Sequence, residues 1–245
     1  PIRLPQVCES AELHVERDGL TLTLGAEDAD GTHLVASWTE ADGRPGSFDI
    51  VVAQPDGLES VNVVIPWSDD TFNFTSKQVA RPATGTLRVG DEEWAIGADQ
   101  DAWGILDVGR GRWPSKLSWN WGAGSGRADG TTVGLQFGAK WTEGTGFTEN
   151  GFVLDGRLTK LGRELEWTYD WDDPTAPWTI VDPGGQLSVV LTPSFDKYTK
   201  AGDENLGSEV HQVFGTYAGT VTDDDGRVVE FSGLQGFAEE ARQVW

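Results

Sequence analysis

The chain has 245 residues, with 18 Lys and Arg against 40 Asp and Glu, for a formal charge of −22 at pH 7. So acidic a chain lacks the basic footprint that phosphate backbones and anionic membrane surfaces require, so neither nucleic acid nor a membrane surface is expected as partner. One cysteine, Cys8, cannot form a bridge within the chain, and with three His it supplies a His/Cys zinc site poorly.

The first ten residues, PIRLPQVCES, show no charged-then-apolar signal pattern, which predicts a cytoplasmic protein. No run approaches the ~18 apolar residues of a spanning helix. From there the pattern alternates with period two. Alternation runs through 12–16, 20–24, 33–39, 47–53, 60–67, 85–89 and 94–97. It resumes at 117–121, 132–137, 151–154, 164–169, 187–192, 215–221 and 228–232. Asp-Gly pairs punctuate these runs at Asp18-Gly19, Asp30-Gly31, Asp42-Gly43, Asp56-Gly57, Asp129-Gly130, Asp155-Gly156 and Asp225-Gly226. Both residue types tolerate positive φ, so the pairs predict hairpin turns. No window of eleven residues carries a helical period. The chain is predicted to be all-β, mostly antiparallel and mostly meander.

An internal repeat organises these strands. Gly104, Asp107, Arg110 and Trp113 stand at intervals of three, as do Gly236, Glu239, Arg242 and Trp245. Upstream, Lys77-Gln78-Val79 matches His211-Gln212-Val213, and Val63–Trp67 matches Val189–Pro193 in the same order. Two β units are therefore expected, 1–113 and 114–245, each the size of a small barrel and the two packed together. Barrels of that size, and the cleft between two of them, are natural places for a ligand.

Ile65-Pro66-Trp67, Thr75-Ser76-Lys77, Leu106-Asp107, Arg110–Pro114, Trp119-Asn120-Trp121-Gly122, Thr148–Gly151, Asp155–Leu158, Pro177-Trp178, His211–Gly215 and Gly236–Glu239 together resemble the domain of unknown function 2804 family, in order and over nearly the whole chain. That family is similar, more distantly, to tandem-lipocalin proteins that include carotenoid 1,2-hydratases and AttH-like proteins. The resemblance implies two calycin-like (lipocalin-like) antiparallel barrels and a hydrophobic ligand. The hydratases carry an Asp in their Trp-x-Asp-x-x-Trp-Gly element, where this chain has Trp119-Asn120-Trp121.

Four groups of residues are candidates for chemistry. Asp107 could serve as general acid or base, with Arg112 binding a ligand carboxylate or developing negative charge. The bland account of the same run is an ion pair with a barrel-closing stack of Arg110 on Trp113, repeated as Arg242 on Trp245. Arg112 has no repeat, its counterpart being Val244, and is the arginine of greater interest. Trp119 and Trp121, two apart on a strand, share one face, with Asn120 on the other. Their indoles suit a polyene, an acyl chain, an aromatic ring or a sugar face, or else simply fill core. Glu149 and Asn150 adjoin Gly151, so at least one is expected to point inward, as a proton donor of raised pKa or as a hydrogen-bond anchor. His211 could shuttle a proton or sit satisfied at a rim.

The acids of Asp223-Asp224-Asp225-Gly226 form a turn that fails calcium-loop spacing, and Glu239-Glu240 and Asp172-Asp173 are taken as solvated acids. No nucleotide, metal or nucleophile-elbow motif occurs, so no cofactor and no metal are expected. The resulting expectation is binding of a largely apolar small molecule, in a barrel or an inter-barrel cavity, with cofactor-free acid/base chemistry such as hydration, isomerisation or cyclisation. Asp107 or Glu149 would be the acid, Trp119 and Trp121 the platform, and Arg112, Asn120, Asn150 and His211 the polar anchors. A non-catalytic carrier of the same fold and a carbohydrate-binding or glycoside-hydrolysing protein are the alternatives.

Overall fold

A computed structural model describes residues 13–28 and 31–245. Cys8, the first residue of the 12–16 run and the Asp of Asp30-Gly31 lie outside the described residues. The described residues form two curled antiparallel sheets of lipocalin-like half-barrel type, with one 3-10 turn at Ala98–Gln100 and no α-helix among them. At Asp18-Gly19, Asp129-Gly130 and Asp155-Gly156 both residues take positive φ, the backbone that right-twisted hairpins require.

The chain divides into two compact units. The first takes the residues up to Leu58 and Arg81–Gly104. Here β1 (Leu13–Arg17), β2 (Leu20–Asp28), β3 (Gly31–Thr39) and β4 (Pro45–Ala53) form a meander. The second unit takes Glu59–Ala80 and Ile105–Trp245, beginning with β5 (Val61–Pro66). The strand β6 (Phe72–Val89) contributes to both: its first half pairs with β5, and its second half pairs with β4 and with β7 (Glu92–Ile96). β8 (Trp103–Arg112) also pairs with β6. The alternation at 85–89 therefore marks only the end of a strand of 18 residues. Its buried first half carries Asn, Thr, Ser and Lys, which hide the pattern of a covered strand.

The rest of the second unit is one nine-stranded antiparallel sheet. Its strands are β9 (Lys116–Ala128), β10 (Thr131–Ala139), β11 (Asn150–Leu154), β12 (Arg157–Leu161), β13 (Glu166–Thr168), β14 (Trp178–Val181), β15 (Leu187–Gly202), β16 (Gly207–Thr222) and β17 (Val228–Val244). They lie in the order β12-β11-β10-β9-β17-β16-β15-β14-β13. The 164–169 run forms only the three-residue β13, and β15 to β17 extend well beyond their alternating cores.

Parity divides the nine-stranded sheet into two faces. Val133, Leu135, Phe137, Tyr217, Ala238 and Trp178 are buried on one, in a continuous apolar core with Trp167 and Tyr169 packed against it. Gly122 belongs there too, since a Cβ at this position would meet Tyr217, Trp167 and Phe137. The opposite face shows Trp119, Trp121, Ser125, Gln136 and Glu239. The first half of β6 packs against it: Ser125 Oγ accepts from Ala80 N–H at 2.9 Å, and a Cβ at Gly134 would meet Val79 and Ala80.

Candidate functional site

A pocket of about 160 Å3 lies on that second face, within the second unit. β6 supplies Asn73, Thr75 and Lys77, and β8 supplies Asp107 and Gly109. β9 supplies Trp119 and Trp121, and β17 supplies Glu239. Trp113 follows β8, and Trp141 and Glu149 come from the turn-rich connection between β10 and β11. The sheet's own core fills the other face, so the pocket is not the interior of the nine-stranded sheet.

Its walls are indoles. Trp113 stacks on Trp141 at 6.2 Å and 7°, and meets Trp119 edge-on at 5.8 Å. Every indole N–H here is taken by a protein acceptor: Trp113 donates to Asn73 Oδ1 (3.0 Å), Trp119 to Glu239 Oε1 (2.8 Å), Trp121 to Gln136 Oε1 (3.0 Å) and Trp141 to Glu149 Oε1 (2.7 Å). The rings therefore offer a guest π-surface and no hydrogen bond.

The polar groups form a line in depth. Asp107, 38% exposed at its side chain, accepts from Lys77 Nζ at 2.8 Å and from Thr75 Oγ1 at 3.0 Å. Lys77, 7% exposed, lies with its ammonium 4.0 Å from the Trp121 ring centroid. Glu149, 2% exposed, lies beneath with its Oε2 3.5 Å from Lys77 Nζ. At that separation the contact is electrostatic, and Oε2 has no hydrogen-bond partner. Burial pushes the Glu149 carboxyl up to about 7; the Lys77 charge and the Trp141 N–H oppose the rise, and the Asp107 charge adds to it. Glu239 is likewise raised by burial, against hydrogen bonds from Trp119 and from Gln212 at 2.8 Å.

Asp107, Glu149, Trp119 and Trp121 are thus brought together, and Arg112, Asn120, Asn150 and His211 are placed elsewhere. Arg112 is 70% exposed and pairs with Asp70 at 2.9 Å. Arg112→Ala is expected to change unfolding free energy by less than about 0.5 kcal/mol in a denaturant titration. Asn150 is fully buried, accepting from Gly138 N–H at 2.7 Å and donating to Arg163 O at 3.1 Å, so it anchors backbone.

Asn120 and His211 lie on the core face, at one end of the sheet. Asn120 Nδ2 donates to Tyr169 Oη at 3.0 Å, and that hydroxyl donates to Glu240 Oε2 and accepts from Lys140 Nζ at 2.8 Å. Glu240 is held below its ordinary pKa although burial opposes this, because Tyr169, Lys140 and Arg242 all donate to it. His211 Nδ1 faces Asp196 Oδ2 at 2.8 Å, with the Trp171 ring edge-on at 4.5 Å.

Two sequence expectations are corrected. Glu239 and Glu240 are not solvated: both are buried, because adjacent strand residues point to opposite faces and both faces are covered there. Arg242 stacks on Trp171, 3.5 Å from its ring centroid, and not on Trp245, which packs on Trp113 at 5.6 Å. Sequence reasoning also missed Lys77, Trp141 and Glu239 as parts of the pocket. The repeat carried the signal for Glu239, since it pairs this residue with Asp107. Each acid also takes a donor from an adjacent strand, Lys77 for Asp107 and Gln212 for Glu239, although these two donors are not at equivalent positions of the repeat.

Among the described residues no group of three or more His, Cys, Asp or Glu is arranged to hold a metal ion. No helix among them is long and apolar enough to cross a membrane. A family model described as a domain of unknown function, DUF2804, matches residues 1–245. No curated protein matches the chain. Among solved structures, the crystal structure of CghA with Sch210972 is similar at 14% identity and a TM-score of 0.37, over 91% of this chain and 74% of that one. A likeness at that level carries no argument about a site.

Proposed function

The chain belongs to the DUF2804 family, and from that premise we propose a function read from its own side chains: binding of a small, largely apolar molecule among Trp113, Trp119, Trp121 and Trp141, with proton transfer by Glu149. The observation that carries this reading is Glu149 Oε2, buried in a pocket wall with no hydrogen-bond partner while Oε1 is held by Trp141. A carboxyl fixed through one oxygen, with no hydrogen bond at the other, is positioned to give or take a proton. With its pKa near 7, both protonation states are populated at neutral pH.

A dry cavity of ~150 Å3 accepts benzene, so about 160 Å3 holds one ring-sized part of a guest, the remainder lying towards Asp107 at the mouth. Lys77 acts as a positioning residue: its ammonium links Asp107 to Glu149 and tunes the ionisation of the latter. Isomerisation is the simplest net reaction, because one carboxylate can take a proton at one atom of the guest and return it at another. Glycoside hydrolysis fits less well, since the spent indole N–H groups give sugar hydroxyls no partners.

The test is native mass spectrometry and solvent extraction of the purified protein, followed by assay of the extracted molecule with Glu149→Gln. The variant is expected to retain the molecule and to convert it at least about 100-fold more slowly. Undiminished conversion would remove Glu149 from the chemistry. A protein that carries no small molecule and binds no single-ring probe in calorimetry would overturn the binding reading itself.

A further inference from the structure

Lys77 is a single ammonium against three carboxyl groups, Asp107, Glu149 and Glu239, and it is the only cation among the residues that line the pocket. Its charge is shared between Asp107 at 2.8 Å and Glu149 Oε2 at 3.5 Å. Glu239 meets only neutral donors in Trp119 and Gln212, and the Oε2 of Glu149 has no hydrogen-bond partner, with the shared Lys77 ammonium 3.5 Å away. An anionic guest would therefore face three acids with no free cation to receive it. The indole walls add attraction for positive charge, because a cation over an aromatic face is drawn to the ring quadrupole and desolvation strengthens the effect. Lys77 already uses the cage in this way, over Trp121 at 4.0 Å. The acidic chain as a whole, at −22, raises the local concentration of cations.

We infer that the guest enters this pocket by a positively charged, alkylated ammonium group, which lies against the indole wall of Trp113, Trp119 and Trp141 and balances the carboxylates that the single Lys77 ammonium leaves in excess. The inference rests on the binding reading above and narrows it to organic cations whose nitrogen is surrounded by carbon. A trimethylammonium group matches the pocket both in its ring-like bulk and in its apolar periphery. Binding is linked to the ionisation of Glu149, which is faced by Lys77 from β6, Asp107 from β8, Lys160 from β12 and Glu239 from β17. A cation prefers the carboxylate, so affinity rises as pH passes upward through about 7.

The experiment is isothermal titration of the full chain with choline and with its neutral isostere 3,3-dimethylbutan-1-ol, at pH 6 and pH 8. Choline is expected to bind at least about tenfold more tightly than the isostere at pH 8, and more weakly at pH 6 than at pH 8. Choline carries no titrating group in this range, and Glu149→Gln is expected to reduce its pH dependence to the smaller part set by Lys160, which burial lowers to about 8. Glu239→Gln is expected to weaken choline severalfold and leave the isostere unchanged, with circular dichroism confirming the fold. Equal or tighter binding of the isostere overturns the cationic inference and leaves the apolar-pocket reading standing. Failure of both probes to bind at millimolar concentration overturns both.

Discussion

Gly138→Ala is expected to destabilise the protein by about 2–6 kcal/mol and to drive Glu149 out of its seat. A Cβ at Gly138 would overlap the Oε1, Cγ and Cδ atoms of Glu149, a side chain that is 2% exposed in the pocket wall. Overpacking a buried site commonly costs about 1–3 kcal/mol, and loss of the Trp141–Glu149 hydrogen bond adds the penalty of a buried unpaired N–H, about 1–3 kcal/mol. The backbone itself should remain in place, because Gly138 N–H is held by Asn150. Urea denaturation measures the first effect and native mass spectrometry with the extracted ligand the second. Wild-type stability in the variant would mean that Glu149 has room to move, and with that its unpartnered oxygen would lose its significance.

Glu149→Gln is expected to act in the opposite direction, and only above acidic pH. The folded carboxyl has its pKa raised from 4.5 to about 7, chiefly by burial. The folded state therefore binds the proton more tightly than the unfolded chain does. Its contribution to stability is fully present below about pH 4.5, falls as pH rises and is lost above about pH 7. At 1.36 kcal/mol per pKa unit, the ionised group costs the wild type about 3 kcal/mol at pH 8, and glutamine, which cannot ionise, avoids it. The difference between the two proteins, followed by urea denaturation from pH 4.5 to 8, should open with pH from near zero to about this size. A difference that stays constant over the range would mean that burial does not raise this carboxyl. A stability penalty held at one pocket residue is what a group retained for chemistry and not for folding would carry.

The adjacent pair Glu239-Glu240 shows why local pattern stops short of the site. Two neighbouring acids look like a solvated surface, yet on β17 one turns to the pocket and the other to the Tyr169–Lys140–Arg242 cluster, and both are buried. The separation of Trp119 and Trp121 from Asn120 was legible because side chains alternate along any strand. Lys77 was not, since its role depends on Asp107 and Glu149, which approach it from two other parts of the chain. Trp141 was hidden for a different reason. It stands in an irregular connection with no period to read, and only contact with Glu149 gives it meaning.

Period-two alternation, Asp-Gly turns and an internal repeat were enough to determine an all-β protein, most of its strands and which side chains share a face. Those properties follow from backbone geometry within a few residues. Only the tertiary structure decided that one face of the nine-stranded sheet closes on its own core while the other is covered by β6 and becomes a pocket. Burial, the raised carboxyl of Glu149 and the charge balance around Lys77 all follow from that covering, because desolvation and Coulomb interaction depend on distance in space and not on distance along the chain.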